Sequence, residues 1–261
     1  MPVLGIITCQ VLEREFAHLL AHDPEISRIT VLRNEFSDAL YQTLQEQMGS
    51  PPRSVPNAGD FVPARLDRIE VLVKVLELGL HRVIGALRDG VVEAGRETAP
   101  YVDSILLGYG LCGNALEKPA ELLSSAGVRV SVPMDGDYPI DDCVGLLIGG
   151  RDSYYEEQCR CAGTFFMTAG WAHHWKDLML KTQRGVLDPA ISKRLMSNYE
   201  RVLVLSTPAL PAEDMTPKIQ EFSEVYGLRI EAREGTLDIL NETWLTAKRV
   251  LTTNSEASRQ K

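Results

Sequence analysis

The stretch DSILLGYGLCGN, residues 103–114, decides the fold that the sequence predicts. Its first half is a short apolar run, which is typical of a strand buried on both faces, and its second half is a glycine-rich turn. PVLGIIT, residues 2–8, is a second apolar run, and Cys9 follows it directly. Apolar runs that alternate with helical periodicity indicate parallel strands joined by right-handed helical crossovers. We therefore expect an α/β fold, Rossmann-like, with a mostly parallel sheet and helices on both faces.

The remaining elements continue this alternation along the chain. Strands are predicted at residues 28–32, 128–132, 163–168, 201–205 and 228–231, helices at 64–83, 115–125, 211–226 and 236–247, and a long loop at 49–64. Asp141 and Asp142 are typical N-cap residues, so a helix is predicted to begin near Cys143. A strand over residues 143–150 is the alternative.

Composition and charge set limits on the class of protein. The chain has 261 residues, 44% of them apolar and 24% charged, which is ordinary for a soluble globular protein. We expect a single α/β domain over residues 1–247, with two lobes as an alternative arrangement, and a polar, disordered tail over residues 248–261. The net charge of −9 argues against a nucleic-acid partner, since phosphate binding depends on clustered Lys and Arg.

The sequence also predicts where the protein is located. Its apolar runs are shorter than the roughly 20 residues that span a bilayer, so we expect no membrane partner. The N-terminus lacks the basic start and the small-residue cleavage site of a signal peptide, which predicts a cytoplasmic protein. In that reducing compartment, the five cysteines are expected to be free, metal-bound or catalytic rather than paired in disulfides.

Three cysteines follow the ends of predicted strands. Because the carboxyl ends of parallel strands share one edge of a sheet, Cys9, Cys112 and Cys143 are expected to converge there. Thiolates bind zinc, and iron is the alternative metal; His173 is predicted as the fourth ligand of a Cys₃His site. At a helix N-terminus, Cys143 is expected to have a lowered pKa. The alternative is that these cysteines pack as small apolar side chains and that the histidine lies at the surface or packs between helices.

The glycine-rich turn allows a second interpretation. Gly108, Gly110 and Gly113 match the G-x-G-x-x-G pattern of dinucleotide-binding loops, although a tight turn alone also requires such glycines. Around this turn and the later Gly-Trp pair, the residues expected to contact a ligand or cofactor are Tyr109, Gly110, Gly113, Asn114, Gly170 and Trp171. The sequence contains no P-loop, no G-x-S-x-G elbow and no H-E-x-x-H motif.

Three motifs in a fixed order resemble a known family. GYGLCGN is followed by DDCVGLLIG with a tyrosine pair behind it, and then by GTFFMTAGWAHHW. This combination is similar to the domain of unknown function 1638 family of prokaryotic proteins, over roughly residues 3–245. The resemblance implies that Cys9, Cys112 and Cys143 occupy positions where the family has cysteine.

The resemblance also implies a biochemical setting. Members of this family are similar in setting to corrinoid-dependent methyl-transfer systems, which implies one-carbon metabolism and corrinoid methyl-transfer proteins as partners. We expect a metal-thiolate protein that binds a small-molecule ligand and acts in methyl transfer. A non-catalytic accessory protein that holds a corrinoid or another cofactor is one alternative. A cysteine-based redox enzyme is another.

Overall fold

Strands and helices alternate along the chain in the computed structural model, which describes residues 2–64, 68–123, 126–182, 185–210 and 212–259. The strands are β1 (Val3–Cys9), β2 (Ile26–Leu32), β3 (Arg53–Val55), β4 (Ile69–Leu76), β5 (Ser104–Gly108), β6 (Arg129–Ser131), β7 (Met134–Asp135), β8 (Tyr138–Pro139), β9 (Thr164–Met167), β10 (Lys181–Thr182), β11 (Gly185–Val186), β12 (Arg201–Ser206) and β13 (Arg229–Glu234). The α-helices are α1 (Glu13–His22), α2 (Asp38–Met48), α3 (Ile84–Thr98), α4 (Pro119–Leu122), α5 (Cys143–Ile148), α6 (Arg151–Arg160), α7 (Ala169–Leu180), α8 (Pro189–Leu195), α9 (Ala212–Tyr226) and α10 (Asp238–Arg259).

The strands β1 to β6 form one parallel sheet in the order β3-β2-β4-β1-β5-β6. Alternate residues of a strand point to opposite faces. Gly5 of β1 leaves room for Thr98 of α3 on one face, whereas Gly108, which pairs with Thr8, leaves room for Phe16 of α1 on the other. The predicted α/β fold with a parallel sheet and helices on both faces is therefore confirmed.

A second parallel sheet has the order β13-β12-β9. It has an apolar core of its own with α7 and α9, which includes Met167, Trp175 and Phe222. The helix α5 lies between the two sheets: Val144 and Ile148 pack against the second sheet, while other residues of the same helix join the core of the first. A helix that is apolar on every side is expected in such a buried position.

The structure corrects two predicted helices. The helix predicted at residues 64–83 is wrong, because Ile69–Leu76 is the strand β4, between β2 and β1. Every residue of β4 except Lys74 is buried, so its apolar residues reflect a strand covered on both faces rather than a helical stripe. The helix predicted at 115–125 is reduced to α4, which begins at Pro119. Within these predicted ranges, residues 65–67 and 124–125 lie outside the described parts of the chain.

Other predicted boundaries agree more closely with the structure. The helix α5 begins at Cys143, and the carboxylate of its N-cap Asp142 accepts a hydrogen bond from the Gly145 N–H at 2.8 Å, so the strand alternative is wrong. The predicted loop at 49–64 contains the short strand β3, and α10 continues beyond its predicted end at residue 247. Across the described ranges, no helix has both the length and the apolar character needed to cross a bilayer.

A buried ion pair joins the second sheet to α6. Arg201 of β12 is almost fully buried, and its guanidinium donates to the Glu157 carboxylate at 2.7 Å and to the Thr164 hydroxyl at 2.8 Å. Arg233 donates to the same carboxylate at 2.7 Å. Because Glu157 is also buried, its removal leaves the interior guanidinium of Arg201 with Glu231 as its remaining carboxylate partner.

We predict that Glu157→Ala lowers the free energy of unfolding by about 3 kcal/mol, since the charge of Arg201 would then be buried with less compensation. The control is Glu156→Ala on the same helix, where the exposed carboxylate only approaches Arg160 at 3.7 Å. That change is expected to alter the stability by about 0.5 kcal/mol or less. Urea unfolding of both variants measures the difference, and equal effects would contradict a structural role for the buried pair.

Candidate functional site

A cavity of about 820 Å³ opens at the carboxyl edge of the first sheet. One wall comes from the ends of β1 and β5 and from the start of α5, and the other from the second sheet and α7. The ends of β1 and β5 are neighbours, since Thr8 pairs with Gly108. Ligands of open α/β sheets bind at this edge, and cavities of this size accommodate drug-sized molecules.

Three cysteines from separate elements line this cavity. Cys9 is the last residue of β1, Cys112 lies in the turn after β5, and Cys143 is the first residue of α5. The structure thus brings together three thiols that are far apart in sequence. All five cysteines of the chain are free, and neither Cys159 nor Cys161 is among the residues that line the cavity. Metal binding by the three thiols stays a prediction.

The position of Cys112 depends on a close contact at Gly110. A Cβ atom at this residue would lie 2.6 Å from the Ile140 carbonyl oxygen and 2.8 Å from the Asp142 nitrogen, so only glycine fits without a backbone shift. The turn also donates backbone hydrogen bonds from Leu111 to Ile140 at 2.9 Å and from Cys112 to the Asp141 carbonyl at 2.7 Å. The turn is therefore held against the segment that leads into Cys143.

The backbone at Cys112 is left-handed. Its φ is +49°, and Gly113 and Asn114 follow with φ values of +66° each. A left-handed residue with a side chain costs roughly 1–2 kcal/mol, and such strain clusters at functional sites. The chain thus keeps a thiol at a position where glycine would be the less strained residue.

Burial controls the protonation of the three thiols. It raises the pKa of both Cys9 and Cys112 to about 12 and that of Cys143 well above its usual range. The negative charge of Asp142 raises the pKa of Cys112 and Cys143 further. The predicted lowering of the Cys143 pKa is therefore wrong: the thiol is at a helix N-terminus, but α5 has only six residues and desolvation outweighs its dipole.

Tyr109 contributes a buried hydroxyl to the same wall. Its ring is almost fully buried, and its oxygen has no hydrogen-bond partner within the described part of the chain. The hydroxyl lies near the Cys9 thiol, and burial raises the pKa of Tyr109 well above its ordinary value. A buried hydroxyl without a partner is unusual, and it leaves a hydrogen-bond donor available at this wall of the cavity.

The structure places His173 outside this cavity. Its Nδ1 atom lies 2.6 Å from the Lys218 Nζ atom, and burial followed by the Lys218 charge lowers the pKa of His173 to about 4. The adjacent His174 donates a hydrogen bond from Nε2 to the Glu13 carboxylate at 2.9 Å. The predicted set of four metal ligands is thus divided between two places.

The two histidines and Glu13 form a second cluster of possible metal ligands, outside the cavity. A metal ion needs several ligand atoms close together. Among the described residues, one group of three possible metal ligands has all of its ligand atoms within 4.8 Å of one another, and it consists of Glu13, His173 and His174. The three cavity thiols do not form such a group in the described part of the chain. Lys218 contacts His173, however, and a neighbouring ammonium group disfavours a divalent cation. Sequence reasoning missed Glu13, although a carboxylate that follows β1 so closely must lie near the same edge of the sheet.

Only some of the residues predicted to bind a ligand line the cavity. Tyr109, Gly110, Gly113 and Trp171 line the cavity, whereas Asn114 and Gly170 are not among its lining residues. Gly170 serves packing, because a Cβ atom there would overlap the backbone of Val11. Sequence reasoning did not identify four further lining residues as part of the site, namely His81, Asp142, Phe165 and Tyr199. The aromatic residues gave no distinct signal, because their spacing is that of ordinary core positions.

Comparison with known proteins identifies a family that matches this chain. A family model described as "Protein of unknown function (DUF1638)" matches residues 75–244, which includes the turn at Cys112, the start of α5 and the second sheet up to α10. No curated protein and no solved structure matches the chain.

We predict that Gly110→Ala lowers the free energy of unfolding by about 3 kcal/mol, because the new methyl group meets backbone atoms that cannot rotate away. The matched control is Gly113→Ala in the same turn, where the added Cβ meets open space and only the positive φ disfavours it. We expect about 1 kcal/mol for that variant. Urea unfolding distinguishes the two, and a Gly113→Ala effect as large as that of Gly110→Ala would contradict the close contact.

Proposed function

The chain belongs to the DUF1638 family, and we propose that it is a cytoplasmic metal-thiolate protein that acts on a small molecule in corrinoid-linked one-carbon metabolism. Cys9, Cys112 and Cys143 would hold a zinc ion, with iron as the alternative metal. The observation that supports this proposal is that three free thiols from three separate elements line one cavity. The metabolic setting is supported by the family resemblance.

The residues present suit a thiophilic metal. Zinc lies about 2.3 Å from each sulfur ligand, which spaces the sulfurs of a tetrahedral site roughly 3.8 Å apart. Among the described residues, the three thiols are not a group whose ligand atoms all lie within 4.8 Å of one another, so binding would require at least one side chain to rotate toward the others. The unpaired Tyr109 hydroxyl could then donate a hydrogen bond to the Cys9 thiolate. Three protein ligands leave one position open, as in catalytic zinc sites.

A metal held in this way supplies Lewis acidity, which lowers the pKa of a substrate thiol and makes it a better methyl acceptor. The chain's own residues have other tasks. The apolar walls around Trp171 and Phe165 would exclude water and orient the substrate, and a separate corrinoid protein would bring the methyl group. A cavity of about 820 Å³ suits a drug-sized substrate rather than a whole corrinoid, so the corrinoid is expected to stay on its partner.

A non-catalytic accessory role is the second candidate function. The same cavity would then hold a cofactor for delivery, and metal binding would occur without turnover. A redox or nucleophilic role for the cysteines has less support, because a reactive cysteine requires a lowered pKa and burial raises the pKa of both Cys9 and Cys112 to about 12.

We predict about one zinc or iron ion per chain in protein purified without oxygen, with the metal lost in Cys112→Ser and in Cys143→Ser. Elemental analysis measures the metal content, and circular dichroism checks that each variant is folded. Cys159→Ser is the matched control, since this exposed cysteine lies outside the cavity. His174→Ala tests the second cluster. Metal that persists in both cavity variants but is lost in His174→Ala would contradict the proposal.

We also predict that zinc binding is strongly pH-dependent. The raised pKa values keep the three thiols protonated at pH 7 in the free protein, whereas a metal binds thiolates, so binding must release protons. The apparent affinity should rise with pH by up to about tenfold per unit for each thiol. Titration calorimetry in buffers of different ionisation enthalpy should give about three protons released at pH 7. Release of less than about one proton would show that the buried thiols are not the ligands.

A further inference from the structure

The walls of the cavity are rich in aromatic rings. Phe165 packs edge-to-face against Trp171 and Tyr199, with ring centroids 5.4 Å and 5.6 Å apart, and all three line the cavity. Tyr154 packs edge-to-face against Phe166 at 4.8 Å, and both of these residues also line it. Rings that hold one another in this way present fixed π-surfaces to a ligand. Such surfaces attract cations through the quadrupole of the ring.

The charge of the lining is negative. Among the described residues that line the cavity, Asp142 is the acidic side chain, and no Lys or Arg is present. Its carboxylate accepts hydrogen bonds from the Gly145 N–H at 2.8 Å and from the Tyr154 hydroxyl at 3.3 Å, so its charge lies beside the aromatic wall of the cavity. Arg151 is the cation nearby in sequence, but it pairs with Asp141 at 3.3 Å. An anionic ligand would therefore meet repulsion here without a compensating cation.

We propose that the cavity binds a small organic cation whose charge lies on a methylated nitrogen or sulfur atom. This inference names the ligand class for the cavity described under the proposed function. A methylated ammonium or sulfonium group has an apolar surface that suits the aromatic walls and a positive charge that suits Asp142. Three thiolates around a divalent ion carry one net negative charge, so metal loading strengthens the preference for a cation.

The test compares two ligands of the same shape. Choline has a quaternary nitrogen where 3,3-dimethyl-1-butanol has a carbon, so the pair differs in charge and little else. Calorimetric titration of the full chain, metal-free and then zinc-loaded, should show choline binding at least about tenfold more tightly than the alcohol. Trimethylsulfonium is titrated in parallel, and preferential binding of either cation supports the inference. Equal binding of choline and the alcohol, or no binding of any of the three, overturns it.

Two carboxylate variants locate the interaction. Asp142→Asn removes the charge but keeps a residue that caps α5, so the fold is expected to survive. Its affinity for choline should fall by about tenfold, while its affinity for the neutral alcohol should not change. Asp141→Asn is the matched control, since Asp141 pairs with Arg151 and is not a lining residue. If both variants bind choline as the wild type does, Asp142 does not recognise the cation and the inference fails.

The test of cation binding can fail or succeed independently of the test of metal binding. Cation preference is measured in metal-free protein, and metal content is measured without any organic ligand. Metal bound through the cysteines without cation preference would refute this inference alone. Choline binding by a protein that holds no metal would support this inference and refute the metal site.

Discussion

The geometry of the cavity depends on the contact between Gly110 and the backbone of residues 140–142. This contact joins the turn after β5 to the start of α5, and two short backbone hydrogen bonds run beside it. Because the turn cannot move without separating these segments, the distance between Cys112 and Cys143 is set by backbone packing rather than by side-chain contacts. The proposed metal site would depend on this rigidity, since each sulfur would have to come within bonding distance of one ion.

The opposite wall is held by a different kind of interaction. The second sheet brings Phe165 and Phe166 to the cavity, and the buried Arg201–Glu157 pair ties that sheet to α6, which carries Tyr154. Gly170 then allows the start of α7 to approach the backbone that follows Cys9. The thiols and the aromatic rings thus come from two separately organised parts of the chain, and the ligand volume lies where they meet, as is common for small-molecule sites.

The sequence predicted those features that have a local physical signature. Continuous apolar runs identified β1 and β5, and the carboxyl ends of parallel strands placed Cys9 and Cys112 at one edge. Prediction failed at β4, because an apolar strand buried on both faces also satisfies helical spacing. It also failed for the Cys143 pKa, since the helix start was visible in the sequence but the depth of burial was not. The direction of His173 depends on how α7 packs against α9, which no local pattern records.

Burial and charge together explain how the cavity could protect its thiols from oxidation and still bind a metal ion. Thiols with a raised pKa are slow to oxidise, because the thiolate is the reactive form, so burial is expected to protect Cys9 and Cys112 in the free protein. A divalent ion would reverse this balance by replacing the three thiol protons with two positive charges that the sulfurs share. The Asp142 carboxylate opposes loss of the thiol protons in the free protein. In the proposed loaded state, with an ion and a cationic ligand present, the same carboxylate would stabilise the positive charge. A single residue would thus favour protonated thiols in the free protein and an occupied cavity after loading.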